Sequence, residues 1–518
     1  MSRFWPEKRA CKVQRFPGSG TSCLATRKAF QRNSDMIIKS VLCSIIPLCI
    51  VGCVVGPDYR LPAVSTPPEW QTATGTLKPA ASDNAQLAVW WHTLNDPLLS
   101  ALVEEAAANN LDLKLAGARL RESRARRGVA AADRMPTVNA GVGAGRNRSS
   151  AEMGAGASRT SDTFSAQFDA SWELDLFGGK RRALEAASAT VEASQENIRD
   201  VQVSLLAEVV LAYIEIRSYQ AQIDSTGATI ASLAETGQIA DWRFQAGLVN
   251  QLDVEQARLN LEQTRAGLPT LLSSLEQSKN NLALLLGRSD GTVKELQIKM
   301  PLPFAAAGVA IGVPAETLRQ RPDIRMAERQ LAAATAQIGE AEAARYPDLT
   351  LSGTIGLQAV SLGNLLNSGA FMYSLAANTA ATIFDGGRLR QKVEIQNALQ
   401  EQALISYLSV VQSALRDVEN ALVAYAEEQN RRSRLQDAVQ SAQNAEDLAR
   451  NQYAAGLIDF VTVLDTQRSL LSLQQQLIVS EAAVTSNLAR LYKALGGGWS
   501  HNSPHVTTPL STAAGVKP

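Results

Sequence analysis

Two hydrophobic periods alternate along this chain, in the same order twice. Residues 98–134 are rich in Ala and Arg, with apolar positions at helical spacing. After Pro136 the period drops to two. Val138, Ala140, Val142 and Ala144 alternate with Asn139, Gly141, Gly143 and Gly145. Phe164, Ala166, Phe168, Ala170, Trp172, Leu174 and Leu176 then alternate with polar or small partners such as Gln167, Asp169 and Glu173. Alternation that is apolar on one face over about 10 residues or more is the pattern of a transmembrane barrel strand. A soluble half-buried hairpin is the competing reading of these strands alone.

After Gly178-Gly179 the helical period returns. Ala187, Val191, Ser194, Ile198, Val201 and Leu205 step by four and three, the spacing of a coiled-coil seam. Lys180 to Ala246 is 67 residues. One uninterrupted helix there would be about 100 Å long at ~1.5 Å per residue. Its faces are charged, so it must run through water. The break at Ala246-Gly247-Leu248 suits a tight helical hairpin, with a return helix over about Leu252 to Leu286.

The second half repeats this plan. Residues 315–345 are helical in spacing. Leu349, Leu351, Gly353, Ile355 and Leu357 alternate with polar or small residues, and so do Tyr373, Leu375, Ala377, Thr379, Ala381 and Ile383. Tyr407, Val411, Ala414, Val418, Ala421 and Tyr425 form a second seam, broken at Ala455-Gly456-Leu457 before a return helix over Phe460 to Leu495. Landmarks recur at near-constant offset. Arg134-Met-Pro-Thr-Val and Arg345-Tyr-Pro-Asp-Leu lie 211 apart, as do residues 110–114 and 321–325. The Gly-Gly pairs lie 208 apart; Phe244-Gln-Ala-Gly-Leu and Tyr453-Ala-Ala-Gly-Leu lie 209 apart, as do Leu286-Gly287 and Leu495-Gly496. This is a duplicated domain rather than a solenoid. The expected organisation is an extended segment 53–97 and a first repeat 98–287, with strands in 137–177 and a helical hairpin in 178–287. A linker 288–314 leads to a second repeat 315–496, with strands in 348–384 and a hairpin in 386–496, and a tail 497–518.

Four membrane-type strands cannot stand alone, because unpaired sheet edges in lipid cost several kcal/mol per backbone group. About eight strands make the smallest closed barrel, filled by side chains. Three chains would supply twelve strands around a channel and carry their long helices into a tube below it. The expected fold is therefore an α+β membrane protein: a homotrimeric 12-stranded β-barrel, four strands per chain, continuous with an α-helical coiled-coil barrel.

Composition sharpens this picture. Lys+Arg and Asp+Glu are 50 each in 518 residues, so no basic face invites nucleic acid. The three histidines, His92, His501 and His505, leave little material for a metal site or a Ser-His-Asp triad, and no enzyme constellation is present. All five cysteines lie in the first 53 residues. From Met36, a short basic region at Lys39 and an apolar run Val41–Ile50 read as a secretory signal, shorter than a spanning helix. Residues 1–35 read as an upstream start, and 36–52 as the signal. The run ends Ile50-Val51-Gly52-Cys53, which resembles a bacterial lipoprotein cleavage box; an ordinary signal beside a chance cysteine is the alternative. In the first reading Cys53 becomes residue one, carrying S-diacylglycerol and an N-acyl group, and Val54 at the next position implies sorting to the outer membrane. Removing the 9 basic and 2 acidic residues of 1–52 leaves 41 basic and 48 acidic, a net of −7. A mature chain with that one cysteine suits an oxidising periplasm.

A set of motifs then points to one family. Gly56-Pro-Asp-Tyr59, Trp90-Trp91 with Asp96-Pro97-Leu98, Arg321-Pro-Asp-Ile-Arg325 with Ala327-Glu-Arg329, and Tyr346-Pro347 are four of them. Gly456-Leu457, Leu464-Asp-Thr-Gln-Arg468 and Leu491-Tyr-Lys-Ala-Leu-Gly-Gly-Gly-Trp499 complete it. Over residues 53–500 the chain resembles the TolC-like outer membrane efflux family, in the lipoprotein branch of resistance-nodulation-division tripartite systems. The resemblance implies an exit duct without a cofactor, partnered by a periplasmic membrane fusion (adaptor) protein and an inner-membrane transporter. It also implies a periplasmic gate at Val461, Asp465 and Arg468, with Asp465 and Arg468 one turn apart on one helix face. At the same offset the first repeat has Gln256 and Leu259, so the gate would be asymmetric between repeats. The hairpin tips around Gly247 and Gly456 are expected to meet the adaptor, with Phe244, Leu248, Tyr453 and Leu457 exposed nearby. Three functions stay open: a duct for drugs or small solutes, a duct for proteins or metal ions, and a lipid-anchored periplasmic scaffold. Met135, Met153, Met300, Met326 and Met372 are scattered, which disfavours a route for soft metal ions.

Overall fold

The computed structural model describes residues 54–64, 67–68, 70, 84–148, 150, 160–289, 291–304 and 319–500. Cys53 and the signal-like run before it lie outside the described residues. An extended segment (54–64) is followed by the short helix α1 (Asn84–Ala88) and a turn of 3-10 helix (Trp90–Leu94). The first repeat then runs α2 (Pro97–Asn109), α3 (Leu111–Ala132), β1 (Thr137–Arg148), β2 (Thr160–Leu174), α4 (Gly179–Gln245) and α5 (Gln251–Leu285). The second runs α6 (Pro322–Ala343), β3 (Asp348–Ala359), β4 (Phe371–Ala380), α7 (Arg388–Ala454) and α8 (Phe460–Ala494). No described helix is long and apolar enough to cross a membrane.

The duplication is metrical. α4 and α7 each have 67 residues, α5 and α8 each 35, α3 and α6 each 22. The glycines entering the long helices as N-caps are Gly178 (φ 85°) and Gly387 (φ 90°), both left-handed, where a side chain would be strained. That sets the offset there at 209 and corrects the 208 that aligning the two Gly-Gly pairs suggested.

Two boundaries also differ from expectation. The single helix expected over 98–134 is broken at Asn110, whose carboxamide oxygen accepts from the backbone N–H of Asp112 (2.8 Å) and Leu113 (3.1 Å). Its Nδ2 donates to Leu285 O (3.0 Å), so the break is fastened to the end of α5. In the second half the alternation through Ala381 and Ile383 outruns β4, which stops at Ala380 because its partner β3 begins at Asp348.

The sheet is an antiparallel meander β1-β2-β3-β4. The β2–β3 pair joins the repeats, matching Trp172 to Leu351, Ala170 to Gly353 and Phe168 to Ile355. The core lies where α2, α5 and α8 surround the middle of α4: Leu99, Leu102, Val209, Val210, Ile214, Leu282 and Leu491 are buried together. A polar knot closes it. Asp96 caps α2 by accepting from Leu99 N (3.0 Å) and accepts from Tyr213 OH (2.5 Å). Arg217 donates to Tyr213 OH (3.0 Å), Gln220 Oε1 (2.8 Å) and Ile298 O (2.7 Å). Burial first, then the bond to Asp96, pushes the Tyr213 hydroxyl up to about 12. The C-terminal motif closes on the same region. Gly498 N donates to Leu87 O, Trp90 stacks on Tyr492 at 5.0 Å, and the guanidiniums of Arg199 (4.6 Å) and Arg325 (5.3 Å) both lie over the Trp499 ring.

Candidate functional site

The sheet has two unlike faces. Across all four strands the register stacks apolar on apolar: Val142, Ala166 and Leu357 in one row, Ala140, Phe168, Ile355 and Tyr373 in another. The opposite face is polar, with Asn139, Asp169 and Thr354 aligned and Thr354 Oγ1 donating to Asp169 Oδ1 (2.7 Å). In the single chain the apolar face is bare; Val142 is 89% and Leu375 85% exposed. So large an apolar surface implies a contact with lipid or protein. The outer edges of β1 and β4 have no strand beside them among the described residues.

Below the strands, the extended N-terminal segment is strapped to the junction with the helices. Val55 N donates to Phe177 O (3.1 Å). Gly56 sits against Gly339 so closely that a side chain carbon would come within 2.3 Å of its backbone. The buried Arg182 donates to Val55 O and Gly56 O (both 3.2 Å) and pairs with Asp58 (2.8 Å). Tyr59 OH donates to Glu328 (3.2 Å), and Arg329 covers its ring. The strap therefore brings the residue after Cys53 to the foot of the sheet, where Val54 touches Gly178.

At the far ends of the long helices both hairpins turn in the same way. Gly247 (φ 71°) donates to Phe244 O and Leu248 N to Arg243 O, both at 2.9 Å. Gly456 (φ 78°) donates to Tyr453 O (3.0 Å) and Leu457 N to Gln452 O (2.9 Å). These are the closing bonds of glycine-terminated helices. Leu248 and Leu457 are exposed at 71% and 74%, and Phe244 is also exposed. Tyr453 is not, contrary to the sequence expectation. It is half-buried, its ring against Phe460 (5.2 Å) and under the Arg243 guanidinium (4.5 Å). Arg243 donates to Tyr453 O (3.2 Å) and Ala454 O (3.3 Å), so the end of α4 caps the end of α7. Ala240, Ala257, Phe460 and Leu464 form a small core beneath.

The residues expected at the gate lie next to this core in sequence, on α8. Val461 is exposed, and Asp465 and Arg468 approach within 3.7 Å with both side chains mostly in solvent. Arg468 has a second partner that the sequence did not indicate: its Nε donates to Asn260 Oδ1 (2.7 Å), and its Nη2 reaches the same oxygen. Asn260 is buried on α5 and Arg468 lies on α8, so the link joins the two return helices. Asn260 follows Leu259, the repeat counterpart of Arg468, so no offset rule points to it. Nearby, Gln467 Nε2 donates to Thr236 Oγ1 (3.2 Å) and Glu446 Oε1 (3.4 Å), tying α8 to α4 and α7. The site thus holds charged and hydrogen-bonding links between hairpins, an arrangement that can hold helices together or release them.

The outer membrane efflux protein family model matches this chain twice, over residues 102–288 and 313–497. The toluene efflux pump outer membrane protein TtgF of Pseudomonas putida is 32% identical over 475 residues, covering 89% of this chain and 98% of that protein. The cation efflux system protein CusC of Escherichia coli is 32% identical over 460 residues, covering 88% and 99%. Among solved structures, the outer-membrane channel OprN superposes with a TM-score of 0.82 at 33% identity, covering 86% of this chain and all of that one.

Proposed function

This chain belongs to the outer membrane efflux protein family, and from that membership and the geometry of its sheet we infer how it works. It is an outer membrane channel of a tripartite efflux pump, not an enzyme. A bare apolar face, a polar opposite face and two open edges on one four-stranded sheet carry the mechanism. Three copies closing edge to edge make a twelve-stranded barrel with polar residues inside, and the 67-residue helices extend the duct into the periplasm. Conduction is passive; a membrane fusion (adaptor) protein and an inner-membrane resistance-nodulation-division transporter supply the cargo and the energy. Acylation of Cys53 holds each subunit at the membrane. The strap from Val54 to Tyr59 at the foot of the sheet supports this, because a lipid on the preceding residue can enter the bilayer there.

The hairpin tips, exposing Phe244, Leu248 and Leu457 around Gly247 and Gly456, are the surface the adaptor meets. Val461, Asp465 and Arg468 constrict the periplasmic end. Asp465 and Arg468 pair across the narrowing three-fold axis, and adaptor docking splays the helices and breaks that ring. The cargo is a small organic solute. TtgF and CusC are equally similar to this chain, so likeness does not choose between solvent and cation. Among the described residues Met135, Met300, Met326 and Met372 sit in separate parts of the fold and build no thioether path; Met153 lies outside them.

The test is single-channel recording on protein purified from outer membranes. Wild type should run as heat-resistant trimers and conduct ions weakly at rest, and Asp465→Ala with Arg468→Ala should raise the conductance severalfold. Unchanged conductance in the double variant removes these residues from the gate. Ordered, monomeric, non-conducting wild-type protein removes the duct.

A further inference from the structure

The two hairpins match in length but not in the residues that stiffen a helix. Neither α7 nor α8 contains a glycine or a proline. The first hairpin carries Gly227 and Gly237 inside α4, and Gly267 and Pro269 inside α5. Gly237 faces Ala257 across the hairpin, 3.9 Å from where a side chain carbon would stand. Ten residues further from the tip on each helix, Gly227 comes level with Gly267, and Pro269 follows directly. Neither Gly227 nor Gly267 has an atom within 4 Å of where its side chain would lie, and both sit in regular helix. Close approach and backbone geometry therefore call for glycine at neither. Glycine and proline are the weakest helix formers, and Pro269 has no N–H to offer the carbonyl of Arg265. Their counterparts 209 residues on are Gln436, Gln476 and Ile478.

The same level is a gap in the packing. On one side the main core runs along α4 to Ile216 and along α5 to Leu275. On the other, Ala240 and Ala257 belong to the small core at the tip. Between the two cores, Ser225, Thr229 and Ser232 of α4 face Gln443 of α7 and Gln474 of α8 across an open cavity of about 400 Å³. Long side-chain bonds bridge α4 and α8 here: Ser225 Oγ donates to Gln474 Oε1 (3.5 Å), and Gln475 Nε2 to Thr226 Oγ1 (3.3 Å).

Resting on the reading of this chain as a gated duct, we propose that the tip end of the first hairpin is a hinged arm. α4 beyond Gly227 and α5 before Pro269 swing as one body about this level, while the second hairpin stays straight. The arm spans the 20 residues from Gly227 to Gly247. At ~1.5 Å per residue that is about 30 Å, so a bend of about 20°, the size of an ordinary helix kink, carries the tip about 10 Å. The arm bears Phe244 and Leu248 at its tip, and Arg243 and Asn260 against the second hairpin. Those bonds hold it at rest, and a partner seated on the tip works it as a lever.

Hydrogen exchange of the full-length, membrane-extracted protein tests the hinge. Backbone amides of 224–230 and 264–270 should exchange at least tenfold faster than those of their counterparts 433–439 and 473–479; equal rates overturn the hinge. Gly227→Ala, Gly267→Ala and Pro269→Ala together favour helix, so the fold is kept. This triple variant should exchange like the second hairpin and keep its heat-resistant trimers and resting conductance, yet lose at least fivefold in solute export from cells. Undiminished export overturns the arm as a moving part. Loss of trimers assigns the two glycines to a contact between copies and overturns the hinge as well. Wild type that is monomeric and non-conducting overturns the duct, and the arm's role with it, a separate outcome because the exchange contrast is read within one chain.

Discussion

The long helices α4 and α7 share a length, a glycine entry and a glycine exit, yet live in different surroundings. Of 67 residues, 23 are buried in α4 and 9 in α7, so the difference cannot come from intrinsic helix-forming tendency. In α7 the buried set is a narrow seam that includes Tyr407, Val411, Ala414, Val418 and Tyr425. In α4 burial spreads round the helix between Val203 and Gln220 and takes in charged and polar side chains such as Arg217 and Gln220. α4 is flanked by α2, α3, α5, α6 and α8, whereas α7 has α6 and α8. Duplicated helices have thus diverged according to which neighbours each finds inside its own chain. In the proposed trimer the barer one presents the surface that another copy completes.

The largest expected effect lies in the buried knot of α4. Arg217→Ala leaves Tyr213, Gln220 and Ile298 O without their donor and opens a cavity, for a loss of about 3–5 kcal/mol. Thermal unfolding in detergent should show it as a much lower midpoint. Its equivalent on α7 is already Ala426, so the comparison breaks if Arg217→Ala is neutral.

Next comes an apolar pair at equivalent positions. Ile214→Ala on α4 should cost about 2–5 kcal/mol, and Val423→Ala on α7 less than about 0.5 kcal/mol. Equal losses would mean that this side of α7 is covered in the assembled channel, narrowing the asymmetry to the isolated subunit. A modest effect on stability, with the largest on function, is expected at the tips. Gly247→Leu and Gly456→Leu each meet open space and should cost only about 1–2 kcal/mol of left-handed strain. Trimers should persist while solute export from cells is abolished. Export that survives one of the two substitutions assigns docking to the other repeat, and export that survives both removes the tips as the dock.

Much of the architecture was legible in the chain because it is periodic. Alternation at two residues marked four strands and their apolar face, steps of three and four marked the seam of α7, and the glycines at 247 and 456 marked the hairpin turns. In α4 two of the six expected seam residues, Val191 and Leu205, are buried, whereas Ala187, Ser194, Ile198 and Val201 are only half-buried. A helix with neighbours on several sides has no single stripe, so its period blurs. The surroundings of the expected gate residues were legible only in part. Asp465 and Arg468 were singled out by the family resemblance and stand one turn apart on α8, but Asn260 and Arg243 are single polar residues with no local pattern, recognisable only once packing puts them against another helix.

Local pattern along the chain dictated the duplication, the element types, the two-faced sheet and the need for further copies, because each follows from hydrophobic period and from the cost of unpaired backbone in lipid. Packing in three dimensions was needed to establish that Asn110 splits a helix, that Tyr453 is covered by Arg243, that Arg468 is held by Asn260 and that the N-terminal strap lies on Gly339. Those are contacts between residues tens to hundreds of positions apart, and no local pattern encodes which distant side chain the fold will bring within reach.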